Sequence, residues 1–227
     1  MVPGMEIEMP LPLRLTYLFD PLCGWCYGAS PVITRLAAEP RIAVTLAPTG
    51  LFAGDGARPM SAQFAEFAWS NDQRIARLTG QVFSDAYRRD ILGDHSSLFD
   101  SAPATLAVVA VQITRPERAV AALTAIQNAR YVDGRDTTRV TVLREILTSM
   151  DLTDAASLVG SPDDALLTAY RETVANARAD MTAFGLEGVP ALIVEAPEGR
   201  YSLKSNGLMG DPERVVEQLL LRQDTTP

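Results

Sequence analysis

The two cysteines of the chain lie three residues apart in the stretch Phe19-Asp20-Pro21-Leu22-Cys23-Gly24-Trp25-Cys26-Tyr27-Gly28. The preceding segment, Leu13–Phe19, is rich in β-formers and predicts a strand that ends at the turn-forming pair Asp20-Pro21. Apolar residues at helical spacing then predict a helix that runs to about Ala38. Two cysteines placed at random would have this spacing in only about one case in a hundred, so the pair indicates a site.

The segments around this stretch alternate between strand and helix patterns. Arg41–Ala47 alternates apolar and polar residues and predicts a second strand, joined to the first by a right-handed crossover helix. Residues 60–184 show helical periodicity and predict no strand. The longest apolar stripe there predicts one buried helix face, formed by Leu167, Tyr170, Val174, Ala177, Met181 and Phe184.

The strand pattern returns near the end of the chain, directly after Gly188-Val189-Pro190. Ala191–Glu195 and Arg200–Lys204 predict an antiparallel hairpin joined by a turn at Glu198-Gly199. Asp211 and Pro212 are typical of a helix start and predict a final helix. The sequence therefore predicts an α/β fold interrupted by a helical insertion.

Composition excludes several classes of protein. The chain has 227 residues, of which 47% are hydrophobic and 21% charged, as in ordinary globular domains. Lys plus Arg is 20 and Asp plus Glu is 28, and this net charge of −8 argues against non-specific nucleic-acid binding. The single histidine, His95, excludes any mechanism that needs two histidines from one chain.

The sequence also predicts a cytoplasmic protein without a membrane segment. Met1–Leu13 contains no Lys or Arg and includes Glu6 and Glu8, unlike a secretory signal. Ala102–Ile113, the longest apolar-rich segment, is shorter than the roughly 20 residues that span a bilayer. In a reducing compartment a cysteine pair is more often catalytic or metal-binding than structural.

Two motifs carry a resemblance to a known family. The stretch from Phe19 to Gly28 resembles the active-site segment of DsbA-like thiol–disulfide oxidoreductases, in particular their cytoplasmic FrnE-type and predicted disulfide-isomerase branch. Gly188-Val189-Pro190 resembles the cis-proline loop of that family. The resemblance implies a DsbA-like thioredoxin fold: a discontinuous thioredoxin-like domain at residues 13–59 and 185–222, and a large all-helical insertion at residues 60–184.

The chemistry of a CxxC pair at a helix start assigns roles to its residues. Free backbone N–H groups and the helix dipole stabilise a thiolate, so Cys23 is the predicted nucleophile and Cys26 the predicted resolving thiol. Gly24 and Trp25 are predicted to tune the redox potential. Strongly oxidising family members often carry Pro-His at these two positions. The absence of histidine here predicts a less oxidising centre.

Three further residues are candidates for supporting roles. The resemblance implies that Pro190 is cis and packs against the cysteines, and that the Val189 backbone pairs with an extended substrate. Without the resemblance the sequence does not support a cis bond, and Pro190 suits a proline at a strand entry. Asp20 is a candidate proton acceptor for Cys26, and it also suits a simple turn position.

Other interpretations of the cysteines remain open. They could be two small buried hydrophobic residues. Metal binding is disfavoured because Cys23, Cys26 and His95 supply three ligands at most, and structural zinc needs four. A four-cysteine site shared between two subunits of a dimer stays open. Phe64, Phe67 and Trp69 could line a cleft, although an aromatic stripe more often belongs to a core.

The predicted function is that of a thiol–disulfide oxidoreductase or isomerase that forms mixed disulfides with protein or small-molecule substrates. No bound cofactor or metal is expected, and glutathione is a candidate thiol co-substrate. A glutathione-dependent transferase or isomerase, of the kappa class or the hydroxychromene-carboxylate type, is an alternative that the second cysteine argues against. A non-enzymatic holdase is another alternative. The sequence leaves the oligomeric state open.

Overall fold

Four strands form a mixed sheet in the order β2-β1-β5-β6 in a computed structural model that describes residues 12–196 and 199–224. In chain order the strands of the protein are β1 (Leu13–Phe19), β2 (Ile42–Pro48), β3 (Arg58–Pro59), β4 (Leu98–Phe99), β5 (Ala191–Ala196) and β6 (Gly199–Lys204). β1 runs parallel to β2 and antiparallel to β5, which pairs antiparallel with β6. The predicted β1, β2 and β5–β6 hairpin are therefore confirmed. Part of the predicted turn, Glu198, lies outside the described residues.

Helices cover both faces of this sheet. They are α1 (Gly24–Ala37), α2 (Ala62–Thr79), α3 (Ala102–Thr114), α4 (Ala119–Tyr131), α5 (Val140–Ser149), α6 (Thr153–Gly160), α7 (Asp164–Ala183) and α8 (Pro212–Asp224). The predicted start of α8 is confirmed, because the Asp211 carboxylate accepts hydrogen bonds from the N–H groups of Glu213 and Arg214.

The central strand β1 is buried on both faces over its last three residues, and this fixes the end of the strand that precedes the cysteines. Leu15, Tyr17 and Phe19 face the main core, which includes residues of α1, α3 and α4. Leu18 faces the opposite side, where it packs in a smaller cluster with Ala177 of α7. Because successive side chains of a strand point to opposite faces, β1 packs against helices on both sides of the sheet.

Two predictions about residues 60–184 are wrong in detail. Leu98–Phe99 forms the short strand β4 against Arg58–Pro59, an antiparallel pair of two residues on each side that is too short to produce an alternating pattern. The apolar stripe on α7 is mostly half-buried. Among its six residues only Ala177 is fully buried, where the helix packs against Leu18 of β1 and Ile193 of β5.

The described part of the chain also contains a helical turn that the sequence pattern did not predict. Residues Tyr87–Leu92 form a π-helical turn between α2 and β4. Tyr87, Ile91 and Leu92 from this turn are buried in an aromatic cluster that also contains Tyr27 and Tyr131. This cluster packs beside the segment that carries the cysteines, because Leu22 belongs to it as well.

The predicted division into two domains remains a prediction. All four strands of the main sheet lie outside residues 60–184, and the segment between them is helical apart from β4. Across residues 12–196 and 199–224, no helix has the length and apolar character needed to cross a membrane. The segment Met1–Leu13, on which the predicted absence of a secretory signal rests, lies outside the described residues except for its last two positions.

Candidate active site

The two cysteines lie at the start of α1, where β1 has just ended. A turn closes after the strand, with the Cys23 N–H donating to the Asp20 carbonyl at 3.1 Å. Cys23 is the N-cap residue, in an extended conformation, and α1 begins at Gly24. Cys23 keeps 7% of its surface exposed, whereas Cys26, one turn further, is fully buried. The free N–H groups of the first turn favour negative charge at the Cys23 end of the helix.

Cys26 is held in a setting that keeps its thiol protonated. Burial is the largest effect and raises its pKa well above the usual thiol value, and the neighbouring Cys23 sulfur raises it further. The Tyr17 hydroxyl donates to the Cys26 backbone carbonyl at 3.2 Å. Burial also raises the pKa of Tyr17, with a further contribution from the charges of both cysteines, so this hydroxyl stays a hydrogen-bond donor.

The Val189-Pro190 segment lies against Cys23. The peptide bond between the two residues is cis, and the Cys23 sulfur lies 3.8 Å from the Val189 carbonyl oxygen. Pro190 is buried directly before β5, the strand that pairs with β1. Residues separated by more than 160 positions in the sequence are thus brought together at one end of the sheet.

Asp20 is fully buried, and its carboxylate joins three segments of the chain. One oxygen accepts from the Leu22 N–H at 2.9 Å. The other accepts from the Phe52 N–H at 3.1 Å and from the Ser101 hydroxyl at 2.7 Å. Burial raises the pKa of Asp20, and these three hydrogen bonds oppose the rise. The carboxylate therefore ties the turn before Cys23 to the loop after β2 and to the start of α3.

The two residues between the cysteines face α2. A β-carbon on Gly24 would collide with the Asp72 carboxylate, so this position requires glycine as long as Asp72 keeps its place. Trp25 is half-buried, and the Arg74 guanidinium lies 5.5 Å from the centre of its ring. Both predicted tuning residues therefore contact the helical segment that follows β2.

A cavity of about 230 Å³ opens beside Cys23, Gly24 and Trp25. Most of its wall is apolar, and its polar side chains are Arg58, Asn71 and Asp72. Aromatic side chains form much of the rest: Phe52, Phe64, Phe67, Tyr87, Phe99 and Tyr131. Of the three aromatic residues considered for a cleft, Phe64 and Phe67 line this cavity. Trp69 is not among its lining residues, and the Arg88 guanidinium lies 4.9 Å from the centre of its ring.

Asp72 and the residues around it were missed by sequence reasoning. Asp72 is only 4% exposed and accepts a 3.0 Å hydrogen bond from the Tyr87 hydroxyl. Burial raises its pKa to about 7, against the opposing effects of that hydrogen bond and of the Arg130 charge. One signal was present: Asp72 is spaced from Phe64, Ala68 and Ile75 as a member of the apolar stripe of α2.

Arg130 and Tyr131 of α4 are the other missed residues. Tyr131 donates to the Leu22 carbonyl at 2.8 Å, next to Cys23. Arg130 is 1% exposed and stacks on the rings of Tyr87, Phe99 and Tyr131 at 5.3–5.9 Å. Within the described residues its Nε and Nη1 atoms have no hydrogen-bond partner.

Nothing in the described ranges of the chain brings three or more His, Cys, Asp or Glu side chains together as metal ligands. His95 lies in an exposed loop after the π-helical turn, as the sequence indicated.

Comparison with known proteins agrees with this geometry. The model of the DSBA-like thioredoxin domain family matches residues 14–212. The cytosolic disulfide reductase DsbM from Pseudomonas aeruginosa is 31% identical, with a TM-score of 0.81 over 94% of this chain and 100% of DsbM. The structure of DsbM with GSH is similar, at 32% identity and a TM-score of 0.79 over 93% and 100% of the two chains.

A Nitrosomonas europaea protein has the same fold, with 24% identity and a TM-score of 0.76 over 95% of this chain and 100% of that one. The comparison with curated proteins gave no match. The family match covers most of the chain and confirms the predicted DsbA-like thioredoxin fold. The chain therefore belongs to the DSBA-like thioredoxin domain family of thiol–disulfide oxidoreductases.

Proposed function

We propose that the protein is a cytoplasmic disulfide reductase in which Cys23 and Cys26 form the redox-active pair. One observation carries the proposal: Cys23 stands at the start of α1 and lines the cavity, with its sulfur beside the Val189 carbonyl, and it keeps 7% of its surface exposed whereas Cys26 keeps none. A thiol at a helix start has the electrostatic support that a nucleophilic thiolate needs. The 31% identity with a protein described as a cytosolic disulfide reductase supports both the direction and the compartment.

The first step is attack on a substrate disulfide. The Cys23 thiolate attacks one sulfur of the substrate, a new bond forms between the two sulfurs, and the substrate S–S bond breaks. The departing substrate sulfur leaves as a thiolate and takes a proton from solvent. The Val189 backbone pairs with the extended chain beside the attacked sulfur, while Pro190 holds that backbone against Cys23.

The second step is resolution by Cys26. The Cys26 thiol gives up its proton and its sulfur attacks Cys23, which releases the second substrate thiol and leaves a Cys23–Cys26 disulfide. Two electrons have then passed from the protein to the substrate. Asp20 accepts the Cys26 proton in this proposal, since its buried carboxylate lies near enough to Cys26 for its charge to raise the pKa of that thiol.

Glutathione is the proposed small thiol that returns the protein to its dithiol form. Two glutathione molecules reduce the Cys23–Cys26 disulfide through a mixed disulfide and leave as oxidised glutathione. The support is that a 32% identical relative is described with GSH. Gly24 and Trp25 supply no positive charge to Cys23, which is consistent with a less oxidising pair. Protein and small-molecule disulfides are both proposed substrates.

Insulin reduction tests the proposal. The wild-type protein should accelerate reduction of insulin by glutathione or dithiothreitol, and Cys23→Ser should abolish the acceleration. Cys26→Ser should instead accumulate a mixed disulfide at Cys23, detectable by mass. An equilibrium titration against glutathione should give a two-electron midpoint. Full insulin reduction by Cys23→Ser would overturn the proposal.

A glutathione-dependent transferase or isomerase is the second candidate, because the same relative is described with GSH. The two functions differ in their need for Cys26. A transferase or isomerase would turn over its substrate with Cys26 replaced by Ser, whereas the reductase cycle would stop at the mixed disulfide. Steady turnover of an electrophile by Cys26→Ser with glutathione would reverse the order of the two candidates.

A further inference from the structure

One buried carboxyl group near the cysteines has no part in the proposed cycle. Asp72 projects from α2 into the wall of the same cavity that Cys23 lines. Its Oδ1 lies against the backbone of Gly24, the first residue of α1, so closely that a β-carbon there would collide with it. The carboxyl group therefore sits at the same helix start that supports the Cys23 thiolate.

Asp72 is held in this position by residues from several elements. Tyr87 of the π-helical turn donates to Oδ2 at 3.0 Å. From α4, the charge of Arg130 lowers the pKa of Asp72. The charges of Asp72 and Cys23 both raise the pKa of the Tyr131 hydroxyl on the same helix. Arg58 of β3 also lines the cavity. These are the titratable and charged groups that face Asp72 from the packed elements, together with Cys23 before α1.

We propose that Asp72 is a positioning residue whose negative charge opposes the Cys23 thiolate and thereby keeps the Cys23–Cys26 pair reducing. The proposal rests on the proposed dithiol function. Two negative charges beside one helix start repel each other. Of the two redox forms, only the reduced one contains a thiolate, so an ionised Asp72 destabilises the reduced form alone. The pair then gives up its electrons more readily.

The charge of Asp72 changes in the neutral range. Burial raises the pKa of this carboxyl to about 7, against the effects of Tyr87 and Arg130. As the pH rises through this value, Asp72 ionises and disfavours the thiolate. The reducing character that Asp72 confers is therefore present above about pH 7 and is lost as the pH falls.

Three single substitutions test the proposal. Asp72→Asn keeps the shape and leaves Tyr87 an oxygen to donate to. Tyr87→Phe keeps the carboxyl but removes the hydrogen bond that favours its ionised form. Glu66→Gln removes one negative charge from an exposed position on the same helix and is the matched control. Each variant is titrated against glutathione at about pH 8, and the thiolate of Cys23 is followed by its ultraviolet absorbance.

Asp72→Asn should raise the thiolate fraction of Cys23 and lower the equilibrium constant for oxidation by oxidised glutathione about threefold or more. Each factor of ten corresponds to about 30 mV for a two-electron couple. Tyr87→Phe should change the thiolate fraction and the equilibrium constant in the same directions, but by smaller factors. If Asp72→Asn does not fold, the result for Tyr87→Phe tests the role of Asp72. Glu66→Gln should behave as the wild-type protein.

The outcomes separate this proposal from the proposed function. A wild-type protein without a two-electron equilibrium would contradict the dithiol function itself. A normal wild-type equilibrium with unchanged midpoints and thiolate fractions in Asp72→Asn and Tyr87→Phe would overturn the role of Asp72 alone. A shift in Glu66→Gln as large as that in Asp72→Asn would also overturn it, because net charge would then explain the effect.

Discussion

The hydroxyl group of Tyr17 donates a hydrogen bond of 3.2 Å to the backbone carbonyl of Cys26. This contact joins the central strand β1 to the first turn of α1, and both residues are buried. Tyr17 also stacks on Phe19 of the same strand, with ring centres 5.2 Å apart. The strand that ends at the active-site turn therefore also supports the helix that carries Cys26.

Tyr17→Phe should lower the free energy of unfolding by about 1 kcal/mol, the usual net contribution of one hydrogen bond. The ring stays in the core, so the change isolates the hydroxyl. Urea unfolding of the reduced protein measures the loss. Tyr201→Phe, at a half-buried position of β6, is the control and should change stability by less than about 0.5 kcal/mol. Equal stability of Tyr17→Phe and wild type would contradict the prediction.

Asp20→Asn should destabilise the protein more than Ser101→Ala does. Both oxygens of the Asp20 carboxylate accept hydrogen bonds, whereas asparagine has only one side-chain oxygen. Its amide nitrogen is a donor and would lie against another N–H donor. We expect a loss of about 2–3 kcal/mol for Asp20→Asn and about 1 kcal/mol for Ser101→Ala, which removes a single donor. Thermal or urea unfolding checks the order of the two.

The same Asp20 variant tests the proton-acceptor assignment. If Asp20 takes the proton of Cys26, resolution should slow in Asp20→Asn and the mixed disulfide at Cys23 should accumulate during turnover. Ser101→Ala keeps the carboxylate and is the matched control, with resolution close to the wild-type rate. A resolution rate that falls equally in both variants would instead indicate that the loss of local packing is responsible.

Short-range patterns predicted the parts of the site that the chain carries locally. Cys23, Cys26 and the Val189-Pro190 pair were identified because each motif lies beside a strand and the family resemblance joined the two. Asp72 was not predicted, since nothing in the sequence shows that α2 folds back onto the start of α1. Burial along α7 was overestimated, because periodicity identifies the apolar face of a helix but not how much of it another layer covers.

Gly24→Ala should destabilise the protein even though alanine favours a helix over glycine by about 1 kcal/mol. The new methyl group would collide with Asp72, which cannot swing away freely because Tyr87 holds it. We expect a net loss of about 1–3 kcal/mol, as for other cases of overpacking. Gly207→Ala is the control, at a position where a β-carbon meets nothing within 4 Å.

A double-mutant cycle identifies the source of that loss. In an Asp72→Ala background the Gly24→Ala change should be less destabilising by about 1 kcal/mol or more, because the colliding atom is absent. Urea unfolding of the four proteins gives the coupling energy directly. Additive effects would show that Asp72 does not restrict position 24.

The stability of the protein should fall with rising pH in a way that depends on Asp72. Its pKa is about 7 in the folded protein and near the usual value of about 3.9 when unfolded, so between these values only the folded state holds the proton. Its contribution to stability is therefore lost as the pH rises from about 4 to about 7. Asp72→Asn should abolish this loss and should be more stable than wild type by about 2–4 kcal/mol at about pH 8, but equally stable at about pH 4.

Asp94→Asn is the contrast for Asp72→Asn. The Ser96 hydroxyl and N–H lower the pKa of the exposed Asp94 carboxyl, so removing this carboxylate should give no gain in stability at high pH. Urea unfolding across this pH range measures both, and parallel curves for Asp72→Asn and wild type would contradict the prediction.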